Sequence, residues 1–179
     1  MNQKLKFLRE TLGLTEKEIS AFLNISSYKY ISFEKTAVEI PCDILILLSI
    51  IYDIDIKLFL DNHYNNQDLL TELTKQNIIE KDKEEILDRL RLNLFHNNNT
   101  KVTYRSIRKV KTSIQNNIIK FITVQIKNNG MSLYDFAIAI DTEKQSLDSV
   151  LSNKRFIEID ELIKISEKFK ISINDIVNG

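Results

Sequence analysis

The sequence predicts an all-α protein built from two similar helical domains. Only three Gly and one Pro interrupt 179 residues, too little punctuation for a strand-rich fold. Apolar residues recur at helical spacing along most of the chain. The pattern that begins at Gly13 returns at Gly130, at a constant offset of 117 residues and without a gap. With 43% hydrophobic residues the chain has enough apolar side chain for a core in each copy.

In the first copy, Leu5, Leu8 and Leu12 place a helix over residues 2–12, with Lys4, Lys6 and Arg9 on other faces. Gly13 ends it. Thr15 and Glu18 have the spacing of a capping box and open a second helix, whose core face is Ile19, Phe22 and Leu23. Asn24 and Ile25 form a tight turn. Ser26 caps a third helix that buries Tyr30 and Phe33. Pro41 precedes a fourth helix, Asp43 to Tyr52, apolar nearly all round and therefore central. Asp55 caps a short fifth helix ending at Leu60.

The second copy follows the same plan. Gly130 matches Gly13, Ser132 matches Thr15, Phe136 matches Ile19 and Ile140 matches Leu23. Further along, Leu147 answers Tyr30, Val150 answers Phe33, Ser166 answers Ser49 and Phe169 answers Tyr52. Matching caps and core positions over nearly fifty residues indicate a structural repeat, and two copies at so long a period mean two domains rather than a solenoid. The expected organisation is a domain at 1–61, a helical connector at 62–115 and a second domain at 116–179.

Between the copies, residues 63–66 and 97–99 are polar breaks, and 67–95 form one or two helices around Leu69, Leu73, Ile86, Leu90 and Leu94. A long helix is predicted from about Thr100 to Asn128, with Ile107, Val110, Ile114 and Ile118 on one face. Lys101, Arg105, Arg108 and Lys109 would gather on the other. Net charge is zero, but residues 89–134 carry nine bases and no acid while the rest of the chain is acidic. The cluster Lys101, Tyr104, Arg105, Arg108, Lys109 and Lys111 reads as a phosphate-tracking surface or a site for an acidic partner. The alternative is a solvated face paired with the acidic stretch Glu80 to Asp88.

The stretch Gly13-Leu14-Thr15, the Ile19/Phe22/Leu23 face, Ile25-Ser26, Tyr30, Phe33-Glu34-Lys35, Glu39-Ile40-Pro41 and Ile54-Asp55-Ile56 resembles the Xre/Cro–CI family of helix-turn-helix DNA-binding domains. The second copy resembles it less closely, through Gly130-Met131-Ser132, Asp135-Phe136-Ala137, Leu147, Val150-Leu151 and Asn153-Lys154-Arg155. The resemblance implies two lambda-repressor-like five-helix domains, with the second helix across the phosphates and the third in the major groove. It places Ser27, Tyr28, Lys29 and Ser32 in the groove and Ser26 and Lys35 on phosphate. In the second copy it places Lys144, Gln145, Ser146 and Ser149 in the groove and Lys154 and Arg155 on the backbone. Glu16, expected beside phosphate, would repel it, and Glu143 and Asp148 put acid on the second recognition helix.

The function this implies is a sequence-specific transcriptional regulator, a repressor that occludes a promoter as a homodimer on double-stranded DNA. The alternative is a protein-interaction inhibitor or antitoxin from a mobile element, such as an anti-CRISPR, whose first domain serves autoregulation. No nucleophile motif, phosphate loop or metal-ligand spacing is present, so neither an enzyme nor a cofactor is expected. Tyr28, Tyr30 and Tyr52 are assigned to packing. Cys42, the only cysteine, is read as a small residue at a helix start, and its isolation suits a cytoplasmic location. No apolar run reaches the length of a membrane span, and the N-terminus lacks a signal-peptide layout.

Overall fold

A computed structural model describes residues 2–36, 39–97 and 100–179, with nothing stated of the Asn2 side chain. The described residues form twelve α-helices and no strand. None of these helices is long and apolar enough to cross a membrane. Asn98 and Asn99, read as part of a polar break, lie outside the described residues.

The chain divides into two compact units, residues 1–40 with 44–110 and residues 41–43 with 111–179. The first contains α1 (Asn2–Thr11), α2 (Glu16–Leu23), α3 (Ser27–Lys35), most of α4 (Cys42–Tyr52) and α5 (Ile56–Leu60). It continues through α6 (Asn66–Lys75), α7 (Lys83–Phe95) and the beginning of α8 (Tyr104–Asn128). Residues 62–110 thus belong to the first unit. Polar contacts hold them there: Gln76 donates to the Tyr52 and Asp53 carbonyls at 3.2 and 2.8 Å, and Asn93 to that of Ile51 at 3.0 Å. Lys83 pairs with Glu18 at 2.9 Å.

Leu5, Leu8, Ile19, Leu23, Tyr30 and Phe33 are fully buried with α4 at the centre of this unit, as its all-round apolar sequence requires. Two cations expected on solvent faces of α1 are buried instead. Lys4 donates to the Leu58 and Asp61 carbonyls at 2.7 and 2.6 Å and so closes the end of α5. Arg9 reaches Glu34 on α3. The signal lay in the spacing, since Arg9 falls four residues after Leu5 and three before Leu12, on the apolar face.

The second unit holds the rest of α8, then α9 (Leu133–Ala139), α10 (Lys144–Leu151), α11 (Ile159–Phe169) and α12 (Ile173–Asn178). Its core includes Phe136 stacked on Phe169 at 5.4 Å, with Phe121 edge-on to Phe169 at 5.9 Å.

Locally the two units repeat each other. Thr15 with Glu18, and Ser132 with Asp135, both complete capping boxes. Asn24 and Asp141, at equivalent positions, both take a left-handed backbone that turns one helix into the next. At the ends of α4 and α11, the Ser49 and Ser166 hydroxyls donate to the Ile54 and Ile171 carbonyls, each at 2.6 Å. The return bonds run from the Ile54 and Ile171 amides to the Ser49 and Ser166 carbonyls. Removing either hydroxyl leaves a carbonyl short of a partner, a buried one at Ile54 and a part-buried one at Ile171. Ser49→Ala should therefore cost about 1–3 kcal/mol in urea unfolding, and Ser166→Ala less, because water can reach the carbonyl it leaves. A Ser49→Ala protein as stable as wild type would show that this hydroxyl is not needed at the end of α4.

Candidate nucleic-acid interface

α3 is built to present one face. Ser26 caps it, its hydroxyl accepting from the Lys29 amide at 3.2 Å. Ser27 is half-buried, and its hydroxyl meets that of Ser20 at 3.0 Å, fixing α3 against α2. Tyr30 and Phe33 anchor the inner side and are fully buried. Outward stand Tyr28, Lys29 and Lys35, while Ser32 is half-buried and donates to the Lys29 carbonyl at 2.7 Å. Lys29 lies 6.0 Å from the Phe33 ring. Tyr28 is 83% exposed, which corrects its assignment to packing, whereas Tyr30 and Tyr52 are buried as expected. Its place explains the difference: Tyr28 lies two residues before Tyr30, on the far side of the helix.

Under this face lies a buried ion pair. Arg9 Nε and Nη2 donate to the two carboxylate oxygens of Glu34 at 2.7 and 2.9 Å, and Nη1 donates to the Leu14 carbonyl at 3.1 Å. The hydrogen bond to Glu34 pushes the guanidinium's pKa further up, against the opposing effect of burial. Glu16, expected to repel phosphate, lies 3.4 Å from Arg9, so its charge is partly compensated inside the unit.

The second unit treats the equivalent residues differently. Lys144, Gln145 and Lys154 are exposed, and Ser149 is half-buried with its hydroxyl on the Gln145 carbonyl at 3.0 Å. Ser146 and Arg155, both expected at a duplex, are engaged with Glu161. The Ser146 hydroxyl donates to Glu161 Oε1 at 2.7 Å, and Arg155 Nη2 donates to the same oxygen at 2.6 Å. Arg155 also donates to the Ser146 hydroxyl and, at 2.9 Å, to the Phe156 carbonyl. Sequence reasoning missed this network because Glu161 answers Ile44 of the first copy, an apolar position.

Burial works to raise the Glu161 pKa, but Arg155, Ser146 and the Glu158 amide together hold it below the usual carboxylate range. A carboxyl with a folded pKa below its unfolded value, about 4.3, contributes stability that is present above that value. The contribution is lost as pH falls through the folded value. Acid unfolding of the second unit should therefore steepen below about pH 4.3, and Glu161→Gln should remove that component while lowering stability at pH 7. An unchanged acid limb in the variant would count against this network.

The basic cluster lies at the start of α8. The helix predicted from about Thr100 begins at Tyr104, because Thr103 and Ser106 cap each other: each hydroxyl accepts from the other's amide, at 2.9 and 3.2 Å. Lys101 consequently precedes the helix. Tyr104, Arg105, Arg108 and Lys109 are on it, and all five residues are exposed. Lys111 differs, since it pairs with Asp43 at 2.6 Å. Within the stretch Glu80 to Asp88, Glu85 pairs with Lys81 and Asp88 with Arg91.

Two groups have no part in this surface. Burial pushes the Cys42 thiol up to about 12, so it stays protonated at neutral pH, as a helix-start packing residue should. The Tyr30 and Tyr52 hydroxyls are buried, and burial raises both pKa values.

The described residues define an all-helical protein whose two units share capping boxes and helix-end serine bonds, with a cationic start to α8. Comparison of the chain with family models, with curated proteins and with solved structures returned no match.

Proposed function

We propose that the protein is a sequence-specific DNA-binding regulator, a repressor that occludes a promoter through the first unit. In this reading each unit contains a lambda-repressor-like five-helix domain, and α2 and α3 are a helix-turn-helix of the Xre/Cro–CI type. The carrying observation is the exposed face of α3. Its inner side is locked by buried aromatics and a capped N-terminus, while Tyr28, Lys29 and Lys35 stand free of the core. A rigid helix presenting a tyrosine and lysines suits a major groove, where apolar contact meets thymine methyls and lysine meets guanine acceptors. The cations Lys101, Arg105 and Lys109 would add phosphate contacts. A homodimer would place two such helices on a palindromic or repeated site.

The test is a gel shift against the DNA upstream of the protein's own coding sequence. Nanomolar binding that weakens steeply with salt is expected. No binding at low salt would remove the reading.

A further inference from the structure

We infer that the outer face of α9 and α10 docks a basic, amphipathic segment of another protein. The inference goes beyond the DNA-binding reading and does not depend on it. It comes from positions matched between the two units, 117 residues apart. In the first unit the outer side of α2 and α3 carries Lys17, Ala21, Lys29 and Lys35, all exposed. The matched residues are Tyr134, Ile138, Ser146 and Ser152, so all three lysines are gone. Acids stand where the first unit has none: Asp141 for Asn24, Glu143 for Ser26 and Asp148 for Ile31.

The centre of the face is apolar. Tyr134 and Ile138 are 59% and 60% exposed, and four residues apart on one helix they are neighbours. Covering them gains free energy, and a tyrosine is a common anchor at the centre of a protein interface. The rim is net acidic, with Asp135, Asp141, Glu143 and Asp148 exposed against Lys144 and Lys164. Lys164 is spent on Asp141, at 3.2 Å. Among the described residues no ion pair reaches Glu143 or Asp148. Local structure explains neither acid fully. Glu143 stands at the N-cap of α10 but makes no capping hydrogen bond, and Asp148 lies past the first turn, where the helix dipole gives an acid no benefit.

Charge selects the occupant. A duplex, or a second copy of this face, would bring negative charge against the acids. A segment with apolar residues set among lysines or arginines meets both the centre and the rim. Centred on two side chains, the contact belongs to the small, transient class of interfaces.

The test titrates the full chain with a synthetic helical peptide of leucine and lysine. Anisotropy of the labelled peptide reads affinity, and amide NMR shifts read the site. The peptide should bind and move signals of α9 and α10. A peptide of leucine and glutamate with the same apolar pattern should not bind. Tyr134→Lys with Ile138→Ala, the first unit's own residues, should weaken binding at least about tenfold. Glu143→Gln with Asp148→Asn should weaken it and flatten its salt dependence. Circular dichroism checks both folds, and Tyr134→Phe, which keeps the ring, should bind like the wild type. No binding by the wild type overturns the inference, as do equal binding of the two peptides and shifts confined to residues outside α9 and α10. Unchanged binding by either folded variant overturns it as well. Two further outcomes would give the face another occupant and overturn it too: a duplex, without peptide, that shifts the signals of α9 and α10, or self-association in sedimentation that the apolar variant abolishes.

Discussion

Glu34→Ala is expected to lower the stability of the first unit by about 3–5 kcal/mol. Glu34 and Arg9 are nearly inaccessible, with side chains 3% and 7% exposed. Their two parallel hydrogen bonds are the shortest the guanidinium makes, beside its bond to the Leu14 carbonyl at 3.1 Å. Removing the carboxylate leaves a buried cation with only the more exposed and more distant Glu16 and Glu10 carboxylates, at 3.4 and 3.7 Å, to offset it, which is the source of so large a loss. The second unit suggests the rescue. At the same offset it carries Ile126 in place of Arg9 and Leu151 in place of Glu34, so the local geometry is compatible with an apolar pair. Arg9→Ile with Glu34→Leu should therefore recover most of what Glu34→Ala loses. Urea unfolding by circular dichroism measures both, and native-state hydrogen exchange should assign the loss to residues of the first unit. Because the pair is buried, raising the salt concentration should barely change the penalty. A Glu34→Ala protein within about 1 kcal/mol of wild type would show that the pair is not structurally important.

The same comparison shows what could be read from the sequence and what could not. The helices around the repeat were legible because capping residues and apolar spacing act locally: Thr15 with Glu18 and Ser132 with Asp135 complete boxes where the spacing places them. The start of α8 was misplaced by about four residues. Lys101 and Val102 continue a helical pattern of charge and apolarity, and only the Thr103–Ser106 exchange fixes the first turn. The cluster Lys101, Arg105, Arg108 and Lys109 was expected on one helical face, and only three of its members are on the helix. Placement of charges in the core was the least legible part. Periodicity assigns a charged residue to water by default, so Arg9 and Lys4 were placed off the core face of α1 and Glu161 was not singled out. Each is buried because residues outside its own helix supply its partners, Glu34 for Arg9, the end of α5 for Lys4 and Arg155 for Glu161. At the candidate interface, Tyr28, Lys29 and Lys35 are exposed, whereas Ser146 and Arg155 are drawn into such a network.

The triple substitution Lys101→Gln, Arg105→Gln and Lys109→Gln should have the largest effect on DNA binding, and its effect on stability should have the opposite sign. Arg105 lies in the first turn of α8, at the positive end of its dipole, with no acid there to offset it, and Lys109 follows one turn later. Cations there oppose the dipole, so neutralising them should leave stability unchanged or raise it by a few tenths of a kcal/mol. Against a polyanion the same charges are favourable. If each neutralises one phosphate, removing three should flatten the slope of log affinity against log salt by about 2.7. Extrapolated from the high-salt limit, that is a weakening of roughly a hundredfold near physiological ionic strength. The loss should be nearly equal for specific and random duplexes, because phosphate contacts carry no sequence information. Tyr28→Ala should instead weaken the specific duplex more than the random one. Fluorescence anisotropy across a salt series separates the two variants. If the triple variant keeps the wild-type slope, the start of α8 does not touch the duplex, and the acid-free stretch is left to an acidic partner or to a solvated helix face.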